Sequence, residues 1–285
     1  MYKIMQIAKR SIFKTMTQSR FYFSIFLNFI LIRQLTETVK SFSETVHIKT
    51  TPWLFPFFMQ NTYIQLMFVL GIVLLFCDAP YIDGGSFFEV IRAGKQQWIL
   101  GKIVYTWLMS GIYTFFIILI TICLLLPQIT WENSWGKVLG TLAQTNAAQA
   151  MGNSSVSLDY NLMIRYKPLQ AMLFSSLIAW TVSFLIAMCI MFLNLFLKKI
   201  PGVVGGLLIG TMSLLQKELS NIYVLTYFSP VSWMDIHMWN YEVKLSYPTP
   251  FYMKVFLLTT ILGLSVCTYV SFVRREEAFT KWRKV

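Results

Sequence analysis

Phosphate chemistry in a protein is commonly written as a glycine-rich loop ending in lysine and a hydroxyl residue. Backbone amides, an ammonium group and a magnesium-binding oxygen must converge there on one phosphate chain. The sequence holds three Gly-Lys pairs, Gly94-Lys95, Gly101-Lys102 and Gly136-Lys137, and these are followed by Gln96, Ile103 and Val138. None fits the pattern, so no nucleotide-hydrolysing domain is expected in this chain. HExxH, GxSxG and paired-histidine patterns are likewise missing. His47 and His237 stand alone and read as interfacial histidines. Asp78 and Asp83 lie close in sequence, but Asp83-Gly84-Gly85 is a turn with helix-start chemistry after it, so both read as helix-end and turn residues. Cys77, Cys123, Cys189 and Cys267 all fall in apolar blocks with no CxxC pair, which favours small buried hydrophobes over metal ligands or disulfides. No catalytic residue, metal site or cofactor is expected in the chain itself.

The elements that would have to position any chemistry are apolar. Of the 285 residues, 56% are hydrophobic, 16% aromatic and only 13% charged, whereas a soluble domain carries about 25% charged residues. That leaves too few charges to cover a water-soluble globule. Disorder, collagen, coiled coil and a disulfide scaffold are excluded by the same figures. The expected fold is an all-α polytopic membrane protein. Six blocks approach the ~20 apolar residues that a crossing needs, near 20–38, 57–78, 103–127, 171–197, 202–216 and 251–273. The third and fourth are uninterrupted. Asn28 and Arg33 break the first, and the fifth is short and rich in glycine (Gly202, Gly205, Gly206, Gly210).

A net charge of +12 could suggest nucleic acid, but no basic stripe with a reading module is present and none is expected as a partner. In a membrane chain, basic residues collect in cytoplasmic loops. Fifteen of the 24 lysines and arginines fall on one side when both termini are placed inside. Among them are Lys3, Lys9, Arg10, Lys14 and Arg20, then Arg92, Lys95 and Lys102, then the C-terminal group from Arg274. The expected location is a cell membrane, with both ends cytoplasmic. Residues 1–20 are predicted to form an amphipathic interfacial helix, with Ile4, Met5, Ala8, Ile12 and Met16 on one face and Lys3, Arg10 and Lys14 opposite. Residues 21–285 form one six-span domain, with a cytoplasmic loop at 79–102 and a long outer segment at 128–170. Residues 39–56, with several threonines and two prolines, read as an exposed outer loop.

The most informative stretch is that cytoplasmic loop. It is too long for a tight connector and too apolar for a solvated one. Ser86 to Ala93 can form a short helix started by Ser86, with Glu89 at capping-box spacing and Gly94 to end it. Phe87, Phe88 and Ile91 would give it an apolar side with little membrane to bury it, while Trp98, Gly101 and Lys102 would return the chain to the membrane as an interfacial anchor. A projecting amphipathic helix asks for a protein partner.

In this arrangement the chain resembles the permease subunit of a type-2 ABC exporter. Such subunits have an N-terminal interfacial helix, six spans and a glutamate–glycine element between spans two and three, matched here by Glu89, Gly94 and Gly101-Lys102. The resemblance implies that Ser86, Phe87, Phe88, Glu89, Ile91, Arg92 and Gly94 form a coupling helix docking on a separate ATPase subunit, two copies per transporter. Arg92 would face the ATPase, and ATP and Mg²⁺ would be bound by that partner. A second match is Phe228-Ser229-Pro230-Val231-Ser232-Trp233, similar to the family's re-entrant stretch before the last span, with Tyr227, Pro230 and Trp233 as gate residues. The first and fifth spans, with Asn28 and Arg33, are the implied pathway candidates. Gly202, Gly206 and Gly210 have the spacing of close helix approach, in a dimer with a second or sibling permease or in a kink. Scarce buried charge favours amphipathic or hydrophobic cargo, antimicrobial peptides among them. The alternative is a non-transporting immunity or sensor protein that binds an outer ligand through 128–170.

Overall fold

The structure is a computed structural model describing residues 1–81, 84–145, 158–197, 199–219, 223–239 and 247–274. Asp83, the 146–157 part of the outer segment and the basic residues after Arg274 lie outside them. Among the described residues the fold is helical throughout, with one isolated bridge between Thr50 and Ile129 and no strand. The helices are α1 (Tyr2–Met16), α2 (Ser19–Val46), α3 (Phe55–Phe58), α4 (Thr62–Phe76), α5 (Gly84–Ala93), α6 (Lys95–Leu125), α7 (Gly136–Gln144), α8 (Tyr160–Arg165), α9 (Pro168–Phe196), α10 (Lys199–Glu218), α11 (Val224–Phe228) and α12 (Pro250–Arg274). Two 3₁₀ turns, Ser232–Met234 and Ile236–Trp239, stand between α11 and α12.

Among the described residues, four helices are long and apolar enough to cross a membrane: α6, α9, α12 and, from Ile200, α10. At ~1.5 Å per residue, the 31-residue α6 measures about 46 Å, more than the ~30 Å hydrocarbon layer. Its excess length is explained at its start, where Trp98 and Ile99 are fully buried beneath neighbouring helices. This is a membrane protein. The 15-residue α4 is shorter, about 22 Å, and lies at the centre, packed on α2, α9 and α10.

Polar side chains and glycines fix the central contacts. The Asn28 amide on α2 donates to Ser24 O (3.0 Å), Met67 O (3.3 Å) and Tyr113 Oη (2.9 Å), and Tyr113 on α6 donates to Phe68 O at 3.0 Å. Gly71 of α4 faces this junction, and a Cβ there would lie 2.1 Å from Tyr113 Oη. On α10, a Cβ at Gly202 would meet Asn194, one at Gly206 would meet Ile190 and Val73, and one at Gly210 would meet Val69. The close approach made by these glycines is to α9 and α4 of the same chain.

The helix ends gather into two regions. One holds α1, α5, the start of α6 and the end of α12. The other holds residues 43–61, α7, α8 and the 3₁₀ turns. At this second end the expected exposed loop over 39–56 is found only in part: residues 44–49 are exposed, but 39–46 belong to α2 and 50–52 and 54–56 are buried. α2 continues through Arg33 and Lys40 to Val46 and closes on His47, whose φ of 56° is left-handed. The chain then runs beside 128–130, with Thr50 N donating to Gln128 O (2.9 Å) and Thr130 N to Thr50 O (2.8 Å). Leu54, Phe55 and Met59 are wholly buried, and Phe57 meets Trp135 edge-on at 5.2 Å. Threonines and prolines gave this stretch a loop-like composition, but packing against 128–144 covers it.

Candidate functional site

The site is built where α1, α5 and α6 meet. α5 covers ten residues and starts at Gly84, two residues before the predicted start. Ser86 therefore lies inside the helix instead of capping it, and its hydroxyl donates to Tyr81 O at 3.2 Å. The helix ends as the sequence suggests. Gly94 has φ +86°, a conformation glycine adopts without a Cβ penalty. Its N–H donates to Val90 O (2.8 Å) and its carbonyl accepts from Trp98 N (3.0 Å). A single residue thus stops α5 and starts α6.

One face of α5 is anchored. Val90 joins Ile7, Trp98, Ile99 and Phe272 in a small apolar cluster, in which Trp98 stacks on Phe272 at 5.0 Å. Glu89 pairs with Arg10 Nη1 at 3.2 Å and accepts from Trp98 Nε1 at 3.4 Å. The opposite face is open. Phe88 is 63% exposed, Ile91 64% and Phe87 40%, with the two phenylalanine rings edge to face at 6.1 Å and exposed Arg92 beside them.

The neighbouring chain differs from the sequence expectation in two respects. α1 is a helix, but its covered stripe is Ile7, Ala8, Ser11 and Thr15, and Met5 is exposed. That stripe packs on α6, where a Cβ at Gly101 would sit 2.8 Å from Ile7. Trp98, Gly101 and Lys102 are therefore internal packing residues and not an interfacial anchor. Lys102 is 4% exposed; its ammonium donates to Ser11 Oγ at 3.0 Å and lies 5.2 Å from the Trp98 ring.

Upstream, residues 77–79 are held from two sides. The Arg20 guanidinium of α2 pairs with Asp78 and reaches Cys77 Sγ at 3.1 Å. The Asn194 amide of α9 donates to Cys77 O (2.9 Å) and Ala79 O (2.8 Å), satisfying carbonyls that the end of α4 leaves open. Arg10, Arg20, Asp78, Trp98 and Asn194 all belong to this joint, and what sequence reasoning missed is their pairings: Arg10 with Glu89, Arg20 with Asp78, Trp98 with Phe272 and Asn194 with residues 77 and 79. These pairings join residues at least 58 positions apart, and no spacing marks them.

The other predicted residues fall elsewhere. Asn28 is buried in the central junction, 1% exposed. Arg33 lies on an exposed face of α2, 4.0 Å from Glu37. At the second end, Trp233 is fully buried, donates to Thr226 O at 2.9 Å and meets Phe256 at 5.2 Å. Pro230 is buried beside it, while Tyr227 stacks edge-on against Tyr252 at 5.4 Å. Nearby, burial pushes the Asp235 carboxyl up to about 6, against the lowering pull of His237, whose imidazole is 3.7 Å from Asp159. Among the described residues no cluster suited to a metal ion occurs. No known protein family, curated protein or solved structure matches the chain.

Proposed function

We propose that this chain is the permease subunit of an ATP-driven exporter of the type-2 ABC kind, working with a separate ATPase. The observation that carries the reading is the open Phe87–Phe88–Ile91 face of a short helix whose other face is fastened to the membrane helices. Contiguous exposed aromatic surface marks a protein or membrane contact. On this reading α2 and α4 complete six spans, 223–239 folds back into the outer leaflet, and the basic α1–α5 end is cytoplasmic in a cell membrane. Two ATPase copies, which hold the ATP and Mg²⁺, serve a pair of permeases. Closure of the ATPases displaces α5, and the displacement has defined routes. It reaches α1 through Glu89–Arg10, α6 through the one-residue link at Gly94, α12 through Trp98 on Phe272, and α2 and α9 through residues 77–79. Such coupling needs contacts that differ between two states. The apolar, aromatic span surface favours amphipathic or hydrophobic cargo.

The test is affinity purification of the full chain from its native host in mild detergent, with ATPase activity measured on the complex. Wild type is expected to bring down a soluble ATPase, and Phe88→Asp/Ile91→Asp to lose it by at least tenfold. Both side chains are more than 60% exposed, so the double variant should fold normally. A folded double variant that retains its ATPase would overturn the coupling role. Wild type purifying without any ATPase would favour a sensor or immunity protein.

A further inference from the structure

We infer that the 275–285 segment, which follows α12, docks in the groove between α1 and α5 and straps the two helices together. The groove has a volume of about 620 Å³ and is lined in part by Lys3, Ile7, Lys9, Arg10, Phe13 and Arg92. Its four cations are exposed, and its one carboxylate, Glu89, is engaged by Arg10 and Trp98. Positive charge is therefore in excess around an apolar strip made by Ile7 and Phe13, and the Phe13 ring is 72% exposed. The occupant that fits such a surface is a short acidic run followed by an aromatic residue, since opposite charge attracts and exposed aromatic surface favours burial. The chain supplies that pattern just beyond α12, as Glu276-Glu277-Ala278-Phe279.

The path to the groove is short. Phe272 is buried in one cluster with Ile7 and Val90, and Ala93 packs against that cluster. Ile7 and Ala93 also line the groove, so α12 delivers the chain to its edge. Glu276 and Glu277 stand four and five residues past Phe272, a reach of about 13–18 Å when extended. On α1, Lys3 and Arg10 are four and three residues from Ile7, about 6 Å or less along the helix axis. The acidic pair thus reaches the cations, Phe279 covers Ile7 and Phe13, and the basic residues from Lys281 onward stay outside, repelled by the same cations. The strap does not depend on the transport reading. It bears on that reading in one respect: Arg92 is given to the segment, and Phe88 and Ile91 are left for an ATPase.

The full chain, with the photo-reactive benzoylphenylalanine in place of Phe279, is irradiated in nanodiscs of phosphatidylcholine, and the linked peptides are identified by mass spectrometry. The expected product keeps the mass of one chain and joins position 279 to α1 or α5. Glu276→Lys/Glu277→Lys should lower its yield about fivefold or more, and adding Lys9→Glu/Arg92→Glu should restore it. Links only to lipid or to other parts of the chain overturn the strap. So does a product of two chains, which would put a second copy in the groove, and so does a yield unmoved by the charge reversal. Should the reversed variants fail to fold, the site of linkage in the otherwise unaltered chain still decides. ATPase capture is measured separately, so failure here leaves the transport proposal untouched, and the converse holds.

Discussion

Substituting Gly71 by alanine should be costly in the wild type and nearly harmless once the Tyr113 hydroxyl is gone. The new methyl would lie 2.1 Å from Tyr113 Oη and 2.8 Å from Asn28 Nδ2. Tyr113 is fully buried and has no space to swing into, so the phenol must move by more than an ångström and forfeit its bonds to Asn28 and Phe68. Overpacking costs about 1–3 kcal/mol, and interhelical hydrogen bonds in membranes add ~0.6 kcal/mol each. Gly71→Ala should therefore destabilise by about 3 kcal/mol. Tyr113→Phe alone leaves Asn28 with Ser24 O and Met67 O as acceptors and should cost about 1 kcal/mol. In the double variant the hydroxyl no longer occupies the methyl's place, and the contacts left are Asn28 Nδ2 at 2.8 Å and the ring carbon Cζ at 3.0 Å, the first at the far end of a side chain and the second relieved by a small shift. The second substitution should then add under ~1 kcal/mol, a coupling of about 2 kcal/mol. Reversible unfolding in mixed micelles measures all four corners. Additivity within ~0.5 kcal/mol would refute the geometry assigned to this junction.

Further outcomes follow from other parts of the molecule. Trp98→Ala removes the centre of the α1–α5–α12 cluster and should cost ~3–5 kcal/mol in the same assay; a loss below 1 kcal/mol would contradict its packing role. Glu89→Gln should change stability by less than ~1 kcal/mol, because Arg10 is 72% exposed and exposed pairs contribute little. Gly206→Leu should prevent accumulation of folded chain, since even its Cβ would be 2.9 Å from Ile190 and Val73; a stable, folded monomer would show that the glycine serves another surface. Asp235 has its folded value raised from the ordinary 3.8 to about 6, so it favours the folded state at low pH and loses that contribution as pH rises through the interval from about 4 to 6. Wild type should therefore gain stability relative to Asp235→Asn when pH falls from 7 to 4, and equal pH profiles would exclude the shift.

The apolar blocks were legible wherever the lipid-facing and core-facing surfaces are both hydrophobic. α9 runs Pro168–Phe196 where the sequence suggested 171–197, and α12 runs Pro250–Arg274 where it suggested 251–273. Composition failed where protein replaces lipid or water as the surroundings. α6 begins eight residues before the predicted 103, because α1 and α12 cover Trp98 and Ile99. Residues 50–56 look loop-like yet are largely buried, since their partners are more than seventy positions away. At the candidate site, α5 and its open face could be read from glycine and aromatic spacing. Its attachments could not: Glu89 is paired with Arg10, with three helices between them in the chain, and Asn194 sits within an apolar run that gives no hint of its carbonyl partners.

The dependence of α4 on Asn194 bears on how the chain is made. The amide reaches back 117 and 115 positions to the carbonyls of Cys77 and Ala79, and Tyr113 reaches back 45 to Phe68. Residues of α4 are thus synthesised well before the groups that satisfy the carbonyls beyond its end, and unpaired backbone polar groups are costly away from water. A 15-residue helix in that position is a late-maturing element. Its final packing is set in large part by α9 and α10, which are made after it, so a chain truncated before Asn194 would leave α4 without the neighbours that cover it.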